Sequence, residues 1–181
     1  MNFKKGETMD SVKQIIRDVP DFPKEGIIFK DITPLLGDAV AFQKAINSLK
    51  DRYADKQVDV VVGVEARGFI FASALAYALG TGVVMVRKPG KLPYKTFQET
   101  YALEYGTDTV EVHQDAFRSG QNIVAIDDVL ATGGTMAATL DLIKKNFEDV
   151  IILETAFLIE LDFLKGREKL KGAPVYSMIH Y

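Results

Sequence analysis

Short, almost unbroken runs of β-branched and apolar residues alternate along the chain with stretches of helical periodicity, and this alternation restricts the fold most. Val58-Asp59-Val60-Val61-Val62-Gly63-Val64, Val83-Val84-Met85-Val86, Asn122-Ile123-Val124-Ala125-Ile126, Val150 to Leu158 and Val175 to Ile179 read as strands. Strands apolar on both faces need cover on both faces, which a parallel sheet flanked by helices provides. The stretches between supply the helices. Phe42, Ala45, Ile46, Leu49 and Tyr53 follow i, i+3, i+4 spacing after Asp38, Phe69 to Leu79 forms another helix, and Met136, Leu140, Ile143 and Phe147 mark a third. A first helix is expected over Val12 to Val19, capped by Asp10 or Ser11 and ended by Pro20, and a short charged helix before the last strand. The class is α/β.

One stretch breaks the alternation. After a basic Gly/Pro loop from Pro89, Thr100 to Tyr105 and Thr109 to His113 flank Gly106-Thr107-Asp108, the pattern of an inserted antiparallel hairpin. The 181 residues amount to roughly 1.2 domains at about 150 residues each, so one domain with an elaboration is expected. The absence of cysteine excludes disulfides, thiolate nucleophiles and Cys-ligated zinc, and two distant histidines, His113 and His180, make a poor metal site. A net charge of −3 argues against nucleic acid as a partner, although bulk charge does not describe a local pocket. No apolar core follows the basic start, so a signal peptide is not expected. The longest apolar stretch, Phe69 to Leu79, is too short for a membrane span, and a cytoplasmic location is expected.

The chemistry concentrates in Ile126-Asp127-Asp128-Val129-Leu130-Ala131-Thr132-Gly133-Gly134-Thr135. A buried strand ends in two carboxylates, and a small hydroxyl-bearing turn opens into a helix. Free N–H groups and the positive dipole end at a helix N-terminus hold phosphate. Gly133 and Gly134 let the backbone wrap closely, and Thr132 and Thr135 add hydroxyl donors. Carboxylates beside a phosphate would accept hydrogen bonds from sugar hydroxyls or hold Mg²⁺, which together suggest ribose 5-phosphate. A nucleotide P-loop is absent, and Gly80-Thr81-Gly82 precedes a strand where a dinucleotide fingerprint would follow one.

This stretch resembles the phosphoribosyl-pyrophosphate (PRPP) motif of the type I phosphoribosyltransferases. Glu65-Ala66-Arg67-Gly68-Phe69, Arg87-Lys88-Pro89-Gly90-Lys91-Leu92-Pro93, Leu103-Glu104-Tyr105-Gly106 and the entry Asp21-Phe22-Pro23, Gly26, Phe29-Lys30-Asp31-Ile32 resemble the adenine-specific branch of that family. The resemblance implies the family's sheet with a small N-terminal hood over about residues 11–36 and a flexible hairpin over about 94–113, in one domain. It implies transfer of the phosphoribosyl group from PRPP to adenine, giving AMP and pyrophosphate, with Mg²⁺ bound through PRPP and no metal ligand from the protein. Arg is common at the Lys30 position of such chains, so the resemblance is looser there.

By the same resemblance, Ala131, Thr132, Gly133, Gly134 and Thr135 hold the 5′-phosphate, and Asp127 and Asp128 take the ribose hydroxyls. Glu65, Ala66 and Arg67, with Arg87, Lys88 and Lys91, serve the pyrophosphate, and a non-proline cis peptide is expected at Glu65-Ala66. Glu104 is the general acid/base near adenine N7, and Tyr105 closes over the leaving group. Ile28, Phe29 and Lys30 form the adenine pocket, and the Arg87 loop crosses a homodimer interface. The charged run Gly166-Arg167-Glu168-Lys169 reads as a solvated helix face.

Overall fold

The computed structural model describes residues 9–103 and 106–181, and the backbone groups into two compact units, 1–51 and 52–181. In the first unit a single turn, α1 (Asp10–Lys13), is followed by an antiparallel pair, β1 (Arg17–Pro20) and β2 (Ile28–Asp31). The helix expected over Val12 to Val19 is therefore corrected: it ends at Lys13, and Arg17 to Pro20 is extended. Pro20 disfavours helical backbone at Val19, and β2 offers partners in the register Arg17↔Asp31 to Pro20↔Ile28. Arg17 Nη2 reaches Asp31 Oδ2 across the pair at 2.6 Å. The connection turns through a cis Phe22-Pro23 bond, with Gly26 N–H donating to Asp21 Oδ1 at 2.8 Å.

Helix α2 (Thr33–Gly37) then leads to α3 (Ala39–Tyr53), whose last residues belong to the second unit. Asp38 caps α3, its Oδ1 accepting the N–H groups of Val40 and Ala41 at 2.9 Å. Ala45, Ile46, Leu49 and Tyr53 are buried along one stripe.

The second unit contains a five-stranded parallel sheet in the order β4-β3-β7-β8-β9. The strands are β3 (Val60–Val64), β4 (Gly82–Val86), β7 (Asn122–Leu130), β8 (Ile151–Glu160) and β9 (Val175–His180). Between them run α4 (Gly68–Leu79) and α5 (Gly134–Asn146), with an antiparallel hairpin of β5 (Thr96–Ala102) and β6 (Thr107–His113). This is the expected parallel α/β fold with its inserted hairpin. Every residue of β3 is buried, which explains its unalternating sequence. The order in which strands are added reverses at β3, since β4 lies on one side of it and β7 on the other. The loops leaving β3 and β7 thus flank a topological switch point, where ligands bind in open α/β sheets.

Two sequence readings need correction here. Strand β7 runs on to Leu130 instead of ending at Ile126, so Asp127 and Asp128 are strand residues. The charged stretch after β8 forms two 3₁₀ turns, Asp162–Leu164 and Gly166–Lys169, in place of an α-helix; Arg167, Glu168 and Lys169 are exposed as expected, while Gly166 is buried.

Candidate active site

Three loops leave the carboxyl ends of β3, β4 and β7. The first contains Glu65, Ala66 and Arg67, and its Glu65-Ala66 peptide is cis, as expected. Arg67 Nε lies 2.8 Å from Asp128 Oδ2. This is an ion pair across the switch point without an aligned N–H, so Asp128 Oδ2 is buried, charge-compensated and lacks a hydrogen-bond donor.

Asp127 and Asp128 differ in surroundings although adjacent. Asp127 Oδ1 accepts the Asp128 N–H at 2.8 Å. Burial, then repulsion from Asp128, push the Asp127 carboxyl well above its ordinary value. Burial also raises Asp128, against the opposing charge of Arg67. Two carboxylates side by side in a half-closed site are held at electrostatic cost, the signature of groups kept for binding or chemistry.

Beyond β7, the turn 131–135 opens α5. Gly133 adopts φ 76°, a left-handed conformation that side-chain-bearing residues rarely take, and the first N–H groups of α5 follow it without intrahelical acceptors. The turn, Asp127 and Phe157 line a pocket of about 80 Å³. The Thr135 hydroxyl meets the Tyr101 hydroxyl at 2.9 Å, and Tyr101 also donates to Asp108 Oδ2 at 3.1 Å. Lys88 forms an ion pair with Asp108. Tyr101, Asp108 and Lys88 therefore connect the hairpin and the β4 loop to the phosphate-type turn.

The β4 loop is built around carboxylates. Arg87 Nε and the Lys88 N–H both donate to Glu65 Oε2 at 3.0 Å. Burial opposes ionisation of Glu65, but these donors outweigh it and lower its pKa. Glu111, 2% exposed, accepts the N–H groups of Lys91 and Leu92 at 3.1 Å and the Gln98 amide at 3.2 Å. Burial opposes its charge as well, yet the Leu92 and neighbouring N–H groups hold its pKa down. The structure thus brings Glu65, Ala66, Arg67, Arg87, Lys88 and Lys91 into one loop system, with Arg67 bridging to Asp128.

Sequence reasoning missed Glu111, Asp108 and Tyr101. A carboxylate between Val110 and Val112 in an apolar strand, downstream of a cation-rich loop, was the available signal for Glu111. Glu104 and Tyr105 lie outside the described residues. Ile28, Phe29 and Lys30 lie on β2 in the first unit, where the Phe29 ring packs edge-on against Phe22 at 5.2 Å and Lys30 pairs with Asp18 at 2.6 Å.

A phosphoribosyl transferase domain model matches residues 36–171. The adenine phosphoribosyltransferase of Syntrophotalea carbinolica is 56% identical over 173 residues, covering 96% of this chain and 100% of that protein. The crystal structure of the adenine phosphoribosyltransferase of Thermoanaerobacter pseudethanolicus superposes with a TM-score of 0.91 at 49% identity, covering 96% of this chain and 100% of the other. That of Saccharomyces cerevisiae, complexed with D-2,5-dideoxy-2,5-imino-altritol 1,6-bisphosphate and adenine, gives a TM-score of 0.87 at 42% identity, covering 93% and 97%. The chain belongs to the phosphoribosyl transferase domain family, among its adenine phosphoribosyltransferases.

Proposed function

We propose that this chain transfers the 5-phosphoribosyl group of PRPP to adenine, releasing AMP and pyrophosphate, in purine salvage. The observation that carries the reading is the Arg67–Asp128 ion pair, which joins a loop suited to pyrophosphate to the strand end suited to ribose. The 131–135 turn and the α5 N-terminus receive the 5′-phosphate through N–H groups and the Thr132 and Thr135 hydroxyls. Asp127 and Asp128 accept hydrogen bonds from the ribose hydroxyls. Arg67, Arg87, Lys88 and Lys91, on the Glu65-Ala66 scaffold, neutralise the departing pyrophosphate, a task for which the arginine fork suits paired phosphate oxygens.

Bond breaking at the anomeric carbon passes through an oxocarbenium-like state, so water must be kept out. The hairpin supplies that cover, with Glu104 as general acid/base at adenine N7 and Tyr105 over the leaving group. Phe29 stacks on adenine while the Ile28 and Lys30 backbones read its edge. A peptide C=O and N–H pair matches the donor and acceptor adenine presents there, whereas a 6-oxo purine calls for a donor. The entire chain serves as one catalytic domain, with residues 11–36 as hood and 94–113 as cover.

Mg²⁺ enters with PRPP. Asp127 and Asp128, the latter held by Arg67, fall far short of the six oxygen ligands the ion needs, so pyrophosphate and ribose oxygens chelate it and the protein provides no cage. When bound, the ion offsets the charge of the pyrophosphate. No helix among the described residues is long and apolar enough to cross a membrane, and we place the protein in the cytoplasm on its cysteine-free composition. We read it as a homodimer, with no nucleic-acid partner. Ile70 and Tyr77 on α4, with Val83 and Met85 on edge strand β4, are exposed apolar residues suited to a second copy, beside the Arg87 loop. A competition assay offering PRPP with adenine, hypoxanthine and xanthine tests base choice; preference for an oxo purine would overturn the adenine assignment.

A further inference from the structure

The 3₁₀ turn at Gly166 packs directly on the phosphate turn. A Cβ on Gly166 would lie 2.3 Å from Ala131 O, and a Cβ on Gly133 would lie 2.3 Å from Gly166 O. Neither backbone leaves room for a side chain on the other, so a displacement of Gly166 must be transmitted to residues 131–133. The Leu161 N–H donates to Leu130 O at 3.0 Å and fixes the start of the same segment.

Arg167 ties this segment to the sheet. Its Nε donates to Glu160 Oε1 at 2.6 Å and its Nη1 to Val175 O at 3.0 Å. Glu160 is 3% exposed, and its second oxygen accepts the Ser177 hydroxyl at 2.6 Å. A buried carboxylate satisfied on both oxygens is a rigid anchor, and the planar guanidinium carries its direction to the turn. Burial disfavours the Glu160 charge, but Arg167 and then Ser177 outweigh it, so the pair stays ionised.

We propose that Gly166 and Arg167 are positioning residues for the phosphate turn: anchored through Glu160, they hold the Ala131–Gly133 backbone where its N–H groups converge on the 5′-phosphate. The inference rests on reading that turn as the 5′-phosphate site. Neither residue needs to touch substrate. Convergent donors lose much of their effect when displaced by about 1 Å, which can cost about a hundredfold.

The test uses full-length Gly166→Ala and Arg167→Lys, the latter retaining charge but losing the fork. Titration calorimetry with ribose 5-phosphate and with pyrophosphate is combined with steady-state KM values for PRPP and adenine. Expected are rises of roughly ten- to a hundredfold in the ribose 5-phosphate Kd and the PRPP KM for Gly166→Ala, and smaller rises for Arg167→Lys. Pyrophosphate affinity and the adenine KM stay unchanged. Either variant alone carries these readouts if the other does not fold. A lowered Tm with unchanged ribose 5-phosphate affinity overturns positioning and leaves a structural role only. Failure of the wild type to bind ribose 5-phosphate overturns the reading of the turn itself.

Discussion

Arg67 Nε stands 2.8 Å from Asp128 Oδ2, so the loop after β3 and the end of β7 are paired before any substrate arrives. The pair limits the charge cost of a buried carboxylate and, on the proposed reading, holds a cation where pyrophosphate binds. Replacing Arg67 by Gln removes both effects. Expected is a fall in kcat/KM for PRPP of about ten- to a hundredfold, the scale of a lost hydrogen bond to a charged group. Initial rates at varied PRPP check it.

Asp127 opposes stability in the same site. Its carboxyl pKa lies well above the ordinary 3.8, through burial and then repulsion from Asp128. For a carboxyl raised on folding, the associated stability is full below 3.8 and is lost as pH rises through the native value. At neutral pH, above that ordinary value, the buried group is therefore a burden. Asp127→Asn should raise Tm by about 2–4 °C per roughly 1 kcal/mol relieved, while PRPP turnover falls at least tenfold. Calorimetry with kinetics on the same preparation checks the trade.

Glu154 has the opposite sign. Buried on β8, it accepts Arg52 Nε and Nη2 at 2.6 Å and the Tyr53 hydroxyl at 2.7 Å. Burial opposes its charge, but the Arg52 and Tyr53 donors prevail and lower its pKa below 4.5. Its contribution is full above 4.5 and is lost as pH falls through the native value. Glu154→Gln should cost about 1–3 kcal/mol at pH 7 and flatten the acid limb of the stability curve. Urea unfolding at pH 7 and below pH 4 measures both.

Much of the fold is legible because β3 and its neighbours are apolar on every face, so their residues dictate both strand and burial. The N-terminal segment misleads because Val12 to Val19 has helical spacing, while Pro20 and pairing of Arg17 to Pro20 with Ile28 to Asp31 make its end extended. The charge density around Arg167 implies solvent, and Arg167 is exposed, but its pairing with Glu160, hidden at the end of an apolar strand, has no local signal. Asp127, Asp128 and the turn after them are legible since a contiguous segment builds them. Glu111, Asp108 and Tyr101 act across the hairpin, and no local pattern announces such partners.

The proposed homodimer places the exposed apolar residues of α4 and β4 between the two copies. Tyr77 is 91% exposed and Met85 44%. Met85→Glu with Tyr77→Glu should shift sedimentation from dimer to monomer and lower kcat/KM for PRPP about tenfold or more, with the fold retained by circular dichroism. A wild type that sediments as a monomer contradicts this assignment.

On the proposed reading, Glu104 transfers the proton at adenine N7. Glu104→Gln should lower kcat by about 10²–10⁴ with the PRPP Kd unchanged, the range of a positioned acid–base group. Single-turnover kinetics separates this loss from weakened binding.

Incubation of the protein with PRPP, Mg²⁺ and labelled adenine, with quantification of both products, tests the central claim most directly. Expected are AMP and pyrophosphate in equal amounts, and no AMP when PRPP is omitted. PRPP binding without AMP formation would contradict it and leave a ligand-sensing protein in its place.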